Sequence, residues 1–505
     1  MTMHTDVQDV LDRLKTAQRQ PLGDPRFKSL IGLEKSTFSQ SASATSGLTF
    51  YDLELGAKFL YPVLTPLRNM IPRVSGKGGI QAAWRAITAI NTTGLRFGVS
   101  SANRGGVMAV ATKDYAATYK GIGVETSVDF EAQYAGQEFD DVRAVGAKTG
   151  LEALMLGEEA MILGGCTSTP LGTTPAPTLT ASTTGGTLAA QTWSVICAAL
   201  TLDGLMNGSI AGGVQGSITR TNADLSVDTF GGGVAKQSVN ATVVTTGTTS
   251  SITASVTPVS GALGYAWFWG AAGSEVLGAI TTINSVVITA NATGIQLASS
   301  LGTNDNSTNA LAFDGLIYQA RVPGSGSYVS TQASGSAGIG TPLTSDSAGG
   351  IVEIDVALKS MWDNYRLSPD TMWVNSQEAL NISRKILSGS QTAAQRFVFE
   401  SSQDLVGGGI MVRTYLNRFS MQGGSVIDIK VHPNMPAGAI LMTTRMLPYP
   451  LAGVGNVVQI RTRQDYYQIE WPLRTRKYEY GVYSDEVLQN YFPPSLALIT
   501  NIGNG

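Results

Sequence analysis

Apolar residues recur at helical spacing within residues 137–163, at Leu151, Leu154, Met155, Met161 and Ile162. This spacing predicts one helix, which would be about 40 Å long at 1.5 Å per residue. Gly146, Gly150 and Gly157 lie inside it, and each glycine costs roughly 1 kcal/mol in a helix interior. We therefore expect close packing along one side of this helix.

The pattern after residue 345 alternates between helical and strand periods. Residues 349–387 predict a helix, a turn, a strand at 371–375 and a second helix. Asn375, followed by Glu378 three residues later, is a capping-box start for that second helix. The predicted architecture of this part therefore mixes helices and strands.

A half-buried strand is predicted near the C-terminus from an alternation of apolar residues at Tyr467, Ile469, Trp471 and Leu473. The apolar phase then shifts, because the next members of the series are Tyr478, Tyr480 and Val482. A bulge or turn must separate the two runs. Pro472 indicates a sheet edge or a position beside that bulge.

The segment before residue 129 has few signs of a core of its own. Prolines at 62, 66 and 72 predict extended chain rather than helix in residues 41–79. In residues 80–128, two strand-like stretches flank a middle rich in Gly, Asn and Ser, which predicts a long hairpin. An arm and a hairpin cannot bury their apolar residues alone, so we expect a neighbouring molecule to complete them.

Residues 170–345 have a composition of their own, with nine charged residues among 176, whereas the other 329 residues hold 62. Their apolar runs at 193–200, 251–259, 265–270 and 285–290 are short, β-branched or aromatic, and bounded by Gly, Asn and Pro. This pattern is typical of a β-sandwich. We expect Trp193 or Trp267 in its core, the Gly/Ser-rich residues 323–340 as its exit linker, and the charged segments on both sides as one interrupted body.

Charge and cysteine content exclude several classes of protein. The net charge of the 505-residue chain is −3, whereas a primary nucleic-acid binder normally carries a basic excess. Two cysteines, Cys166 and Cys197, rule out a disulfide framework and a four-cysteine zinc site, and we expect both to be buried. The charged N-terminal residues indicate neither a signal peptide nor a membrane span, which favours a reducing cytoplasm.

Catalytic chemistry has little support in the sequence, so we expect no enzyme, no cofactor and no metal. His4 and His432 are the only histidines, and neither belongs to a nucleophile motif. The adjacent carboxylates Glu158 and Glu159 must point to different sides of the helix, and we expect them to face solvent; the same holds for 140–141. A phosphate-binding GxxxxGK[ST] loop does not occur.

The order of these elements resembles the tailed-phage major capsid protein of the Hong Kong 97 type. The resemblance covers residues 1 to about 165 and about 346 to 505, and includes the acidic start EFDD of the long helix and the closing strands EWPLRTRKYEYGVYSDEV. It implies an α+β fold interrupted by an immunoglobulin-like or fibronectin III-like sandwich. The implied parts are an N-terminal arm (1–75), an E-loop hairpin with flanks (76–128), a spine helix with peripheral domain (129–165), the inserted sandwich with linkers (166–345), an axial domain (346–460), and peripheral strands with the C-terminus (461–505).

The resemblance also implies a function and partners. Such a chain would assemble into hexamers and pentamers of an icosahedral head in the bacterial cytoplasm. It would meet a portal, scaffold or decoration proteins, and packaged double-stranded DNA on the inner face, but no membrane. Pairing between subunits is expected from Arg461, Arg463, Arg474, Arg476 and Lys477 with acidic residues that include Glu131, Glu138, Asp140 and Asp141.

Two alternatives remain open at this point. Another self-assembling virion protein, such as a tail-tube subunit with an immunoglobulin-like ornament, would lack so long a helix. A surface adhesin built around the sandwich should carry an export signal and repeated sandwiches, neither of which is visible in the sequence.

Overall fold

A computed structural model describes residues 60–90, 100–102, 104, 107–136, 141–388, 411–421, 423–449 and 452–505. The predicted N-terminal arm up to residue 59, together with Glu138, Asp140 and His4, lies outside these residues. The described residues form a mixed α+β fold, as the sequence predicts.

The helices are, in chain order, α1 (Pro66–Met70), α2 (Phe130–Gly136), α3 (Val142–Gly164), α4 (Leu202–Met206), α5 (Leu316–Arg321), α6 (Val352–Tyr365) and α7 (Ser376–Ser388). The strands before residue 165 are β1 (Arg73–Ser75), β2 (Gln81–Ile90), β3 (Val110–Thr118) and β4 (Lys120–Asp129). Those of the low-charge block are β5 (Thr178–Ser182), β6 (Thr192–Leu200), β7 (Ser217–Thr221), β8 (Val227–Gly231), β9 (Ala241–Val244), β10 (Ser251–Ser255), β11 (Gly264–Gly270), β12 (Val276–Thr281), β13 (Ser285–Ile288) and β14 (Tyr328–Thr331). The last group is β15 (Thr371–Val374), β16 (Thr414–Asn417), β17 (Ser425–Val431), β18 (Ile440–Thr443), β19 (Val458–Glu470), β20 (Lys477–Asn490) and β21 (Leu496–Thr500).

Helix α3 lies against a four-stranded sheet of order β1–β19–β20–β4. Its glycines explain how closely it packs: a Cβ on Gly146 would collide with the Tyr480 hydroxyl, and one on Gly150 would lie 3.1 Å from the Thr126 hydroxyl. The predicted close approach is therefore confirmed for these two glycines. It is wrong for Gly157, around which a Cβ would meet no atom within 4 Å.

A six-stranded sheet of order β14–β21–β18–β15–β17–β16 carries helices α6 and α7. Asn375 caps α7 by accepting a hydrogen bond from the Gln377 backbone N–H at 3.0 Å, as predicted. Glu378 does not complete a capping box, because its buried carboxylate accepts from the Gly438 N–H at 3.1 Å instead. Burial raises the pKa of Glu378. Strand β21 lies in the segment expected to be peripheral but belongs to this sheet.

One hydrophobic core joins the segments on both sides of the low-charge block. Leu67, Ala82 and Leu163 share it with residues that lie more than 200 positions later, among them Trp373, Ile460, Leu488 and Leu498. The described residues of the charged segments, within 61–134 and 142–164 before the block and after residue 345 behind it, therefore share one core.

Two sheets of the low-charge block, β13–β10–β5 and β12–β11–β6–β9, pack against a common core. All four predicted apolar runs contribute strands to them, and both Trp193 and Trp267 are buried in that core. Cys166 and Cys197 are also buried, as expected, and burial raises the pKa of both thiols.

The end of the low-charge block departs from the sequence prediction. Residues 323–340 are not a simple exit linker, because β14 pairs in parallel with β21 inside the body. Helix α5 just before it also packs in the body core. The run Tyr328–Thr331 is short and β-branched enough to pair with the apolar β21, although Gly and Ser dominate its surroundings.

Two further expectations about local structure are wrong. The proline-rich residues 60–79 are not extended throughout, since α1 forms with Pro66 in its first turn, where a proline N–H is not needed. The predicted strand from Tyr467 to Leu473 ends at Glu470. Trp471 and Leu473 are 42% and 62% exposed in the turn to β20, so a turn rather than a bulge separates the two apolar phases.

The glycines of α3 generate a matched pair of stability predictions. Gly146→Ala should lower the free energy of unfolding by about 1–3 kcal/mol, because overpacking against Tyr480 outweighs the helix propensity gained. Gly157→Ala should raise it by about 0.5–1 kcal/mol, because the same propensity gain meets no steric cost. Denaturant titration of the unassembled chain checks both, and equal signs for the two variants would contradict the packing of α3.

Candidate assembly surfaces and a buried charge cluster

Within the described parts of the β2–β3 hairpin, the contacts with the body lie at its root. Ala82 is buried there, and the Trp84 ring stacks on Tyr115 and meets Tyr491 edge-on, each at 5.7 Å between ring centroids. Farther along the hairpin, almost every residue of both strands is exposed. The predicted long hairpin is therefore confirmed, and most of its surface lacks contacts in a single chain.

A β-bulge decides which side of the hairpin is apolar. Ile87 pairs with Thr112 and Ile90 pairs with Val110, so one extra residue, Thr88, lies between the two registers. In a regular strand Ile87 and Ile90 would point to opposite faces, but the bulge brings both onto one face. We call Ile87, Ile90 and Val110 the outer patch; they are 68%, 50% and 44% exposed.

The turn between β19 and β20 forms a second exposed surface, composed of Trp471, Pro472, Leu473, Arg474, Thr475 and Arg476. Next to it, Tyr478 is covered on its faces by Phe130, stacked at 5.2 Å, and by the Arg143 guanidinium at 4.3 Å. Aromatic and arginine side chains of this kind are enriched at protein interfaces.

The basic residues predicted to pair across subunits have several partners within the chain. Arg463 contacts Asp485 at 2.6 Å, Arg476 contacts Glu131 at 3.1 Å, and Lys477 contacts Asp129 at 3.3 Å. The other predicted contacts that the structure describes are the exposed Arg474, the half-buried Arg461 and the exposed Asp141. Pairing of any of these side chains with another subunit remains a prediction.

The adjacent glutamates of α3 do not face solvent, which corrects the sequence prediction. Glu158 and Glu159 are 1% and 0% exposed. They do point to different sides of the helix, and each has its own set of partners. Because a buried carboxylate is costly unless it is paired, these partners explain why the chain tolerates two carboxylates at the buried end of α3.

Glu159 holds the first turn of α1 and the loop after β17. Its two carboxylate oxygens accept hydrogen bonds from the backbone N–H groups of Leu67 at 2.8 Å and Arg68 at 2.7 Å. The first oxygen also contacts His432 Nε2 at 2.6 Å. Since His432 Nδ1 accepts the Asn434 N–H at 3.1 Å, the ring hydrogen must lie on Nε2, which donates to Glu159.

Glu158 holds the same proline-rich segment through the side chains of that segment. Arg68 Nε lies 3.1 Å from one carboxylate oxygen of Glu158, and Arg73 Nη1 contacts the other. The Tyr466 hydroxyl donates to Glu158 as well, and the guanidinium of Arg73 lies 4.4 Å from the Tyr466 ring centre. Burial, reinforced by Glu158, raises the pKa of Tyr466.

Arg73 is shared by three carboxylates. Its Nη2 lies 2.6 Å from Asp465 and 2.6 Å from Glu486 in addition to the contact with Glu158. Burial works against the charge of Arg73, but these three acids raise its pKa above the ordinary arginine value. Burial also works against the charge of Asp465 and would raise its pKa, but the hydrogen bond and the charge of Arg73 outweigh burial and lower that pKa. Burial first, and then the charge of Glu158, raise the pKa of Glu486 to about 7.

Sequence reasoning missed this cluster: it placed Glu158 and Glu159 at the solvent and gave His432 no role. The available signal was weak: Glu158 and Glu159 are the only charged residues of the apolar run 153–164. Their partners lie from 85 to 308 positions away along the chain, so no local pattern connects them.

The residues that the structure describes contain neither a cluster of metal-ligating side chains nor a membrane-spanning helix. Within those ranges, no three His, Cys, Asp or Glu side chains are grouped so that they could hold a metal ion. None of the helices described there combines the length and the hydropathy needed to cross a bilayer.

No protein-family model matches the sequence, and no curated protein matches it. The chain is similar to solved structures of low sequence identity. "Capsid of native GTA particle computed with C5 symmetry" matches with 12% identity and a TM-score of 0.41, over 92% of this chain and 99% of that one. "The capsid of Myoviridae Phage XM1" matches with 9% identity and a TM-score of 0.38, over 89% and 95%. "Mycobacterium phage Bobi" matches with 8% identity and the same TM-score and coverage.

The geometry of Glu159 predicts a large effect of a small change. Glu159→Gln should lower the free energy of unfolding by about 2–3 kcal/mol, because an amide cannot accept from all three donors and turns its own NH₂ group against one of them. Glu470→Gln is the control, since it removes an exposed carboxylate paired with Arg143 and should cost at most about 1 kcal/mol. Denaturant titration measures both; equal costs would contradict the capping role of Glu159.

Proposed function

We propose that this chain is the major capsid protein of a tailed bacteriophage, with a fold of the Hong Kong 97 type. Many copies would assemble as hexamers and pentamers into an icosahedral head around double-stranded DNA. The protein acts by burying surface between subunits, and no catalytic step is part of its role.

The observation that carries this proposal is the β2–β3 hairpin. A two-stranded hairpin is at best marginally stable alone in water, yet this one extends beyond its root with the outer patch exposed. An exposed apolar patch on a projecting element is typical of a surface that another molecule covers. The bulge at Thr88, which gathers the patch on one face, is the kind of feature that re-aims side chains for such a contact.

Identical copies are the partner that best fits the charge of the body. Outside residues 170–345 the chain has 31 basic and 31 acidic residues, so its copies do not repel one another by net charge. A hairpin that contacts a different surface of the next copy makes a heterologous contact, and such contacts close into rings. Interfaces of this obligate kind often exceed about 2,000 Å², which projecting elements supply without a larger core.

The order of elements along the chain supports the same assignment. The hairpin, helix α3, strands β15 to β18 with helices α6 and α7, and the pair β19–β20 follow one another as the E-loop, spine helix, axial domain and peripheral domain of such a capsid protein would. Helix α3 is 23 residues long, which favours a shell subunit over a tail-tube subunit.

The remaining assignments follow from this proposal. The turn 471–476, with Arg474 and Arg476, is a contact surface between subunits, and Arg461, Arg463, Lys477, Glu138, Asp140 and Asp141 are further candidates. The two-sheet unit of the low-charge block is an immunoglobulin-like ornament on the outer surface of the head. Portal, scaffold or decoration proteins and non-specifically bound DNA are the partners, and assembly takes place in the host cytoplasm.

Electron microscopy of the purified full-length chain tests the proposal. Closed icosahedral shells, or hexameric and pentameric rings, are the expected particles. Tubes would favour the tail-tube alternative, and monomers that do not assemble under any solution condition would favour an adhesin; either result would overturn the proposal.

The outer patch generates a specific prediction. Ile87→Asp should abolish shells and leave the fold of the chain intact, because a charge would have to be buried in the subunit contact. Ile295→Asp is the matched control, since Ile295 is 83% exposed in the low-charge block. This variant should assemble like the unmodified chain. Sedimentation velocity with negative-stain microscopy distinguishes the two variants. Normal shells from Ile87→Asp would show that the hairpin is not part of the contact between subunits.

A further inference from the structure

The charge cluster around Arg73 joins three parts of the chain that are distant in sequence. Arg68 and Arg73 come from α1 and β1, Glu158 comes from α3, and Asp465, Tyr466 and Glu486 come from β19 and β20. We call the segment Pro66–Ser75 the arm root, because it is the last part of the predicted N-terminal arm (1–75). The cluster is the polar attachment of the arm root to α3 and to the sheet.

The cluster contains more acid than base. Arg68 and Arg73 face Glu158, Asp465 and Glu486, and Glu159 is a further carboxylate on the adjacent side of α3. His432 does not reduce this excess, since its hydrogen-bond pattern is that of a neutral ring donating from Nε2.

Glu486 is the member of the cluster with the least satisfied carboxyl group. It is fully buried, and one oxygen accepts from Arg73 at 2.6 Å and from Ser484 at 2.8 Å. The other oxygen, Oε1, has no hydrogen-bond partner. An ionised carboxylate with an unpartnered buried oxygen is costly, and a neutral carboxyl group in the same place costs much less.

We propose that this cluster is a proton-dependent latch: Glu486 binds a proton to hold β1 of the arm root against the sheet, and loss of that proton loosens it. The groups that face Glu486 are Arg73 from β1, Glu158 from α3 and Ser484 from its own strand. Lys120 is its cross-strand neighbour on β4, but the Lys120 ammonium donates to the Ala310 carbonyl at 2.6 Å. Asp465 and Tyr466 of β19 and Arg68 of α1 act on it through Arg73 and Glu158.

The direction of the pH effect follows from the raised pKa of Glu486. Burial and the Glu158 charge raise it from the ordinary 4.5 to about 7 in the folded chain. Opening of β1 would remove the Arg73 charge, which lowers this pKa, but it would also let water reach Glu486 and so relieve the burial that is the largest cause of the raised pKa. Between pH 4.5 and about pH 7 the latched state therefore binds more protons than the opened state, and the latch weakens as the pH rises. Above about pH 7 both states are ionised at Glu486, and the effect levels off.

The two ends of the arm root should respond differently. Helix α1 is also held by Glu159 through backbone hydrogen bonds, which involve neither Glu486 nor Arg73. Strand β1 carries Arg73 itself and pairs with β19 from Arg73↔Ile460 to Ser75↔Thr462. Loss of the proton should therefore loosen β1 first and leave α1 attached.

Hydrogen–deuterium exchange of the unassembled full-length chain tests the latch. Rates are corrected for the intrinsic pH dependence of amide exchange and compared across the range from pH 5 to pH 8. Amides of β1 and of its partner residues 460–462 should lose protection by up to about tenfold per pH unit between pH 5 and pH 7, while α1 changes much less. Protection of β1 that does not depend on pH would overturn the proposal without any variant.

Two substitutions separate the latch from a merely structural cluster. Glu486→Gln, which mimics the protonated acid, should keep β1 protected throughout the range. Glu158→Gln should move the onset of loosening to lower pH, because the like charge that helps to raise the pKa of Glu486 is gone. An unshifted pH response in both variants would overturn the proposal.

Asp485→Asn is the matched control. Asp485 is the neighbouring residue on β20, but it faces the other side of the strand and pairs with Arg463. It should retain the pH response of the unmodified chain, and loss of that response would show that Glu486 is not the group that titrates.

Discussion

Burial of two adjacent carboxylates at the end of α3 is the constraint on which the body of this protein depends. Removing a carboxylate from water costs several kcal/mol unless donors replace the lost hydration, so every segment that supplies a donor is fixed in place. Glu159 fixes α1 and the loop of His432. Glu158 fixes Arg68 and Arg73, and through Arg73 the strands β19 and β20. The hydrophobic core packs beside these contacts, and the ion pairs and hydrogen bonds of the two carboxylates set their geometry.

The hairpin differs from this charge cluster, because the contacts that its described residues make with the body lie at its apolar and aromatic root. Trp84 and Ala82 tie it to the body, whereas the outer patch is largely exposed. In the proposed assembly, stability of the single chain and contact with other subunits would be assigned to different parts of one element. In that assembly the bulge at Thr88 would serve the contact with other subunits, since it adds nothing to the pairing of the two strands.

Sequence periodicity was sufficient to predict those elements whose partners are close along the chain or that bury only one side. It located α3, the β2–β3 hairpin and the apolar runs of the low-charge block, because each repeats over many residues. It could not find the partners of Glu158 and Glu159, since adjacent charges on a helix look the same whether water or arginine covers them. The bulge at Thr88 and the parallel pairing of β14 were equally hidden, because both depend on register between strands and not on the residues of one strand.

The parallel pairing of β14 with β21 has a consequence for how such a protein can evolve. The compositional boundary of the low-charge block lies near residue 345. However, α5 and β14, which come earlier in the sequence, already pack in the body. A recombination event that replaced the whole block would therefore also replace an edge strand of the six-stranded sheet. Only donors whose strand fits β21 could supply such a block, so exchange of the low-charge block among related genes is restricted by a strand that the block does not contain.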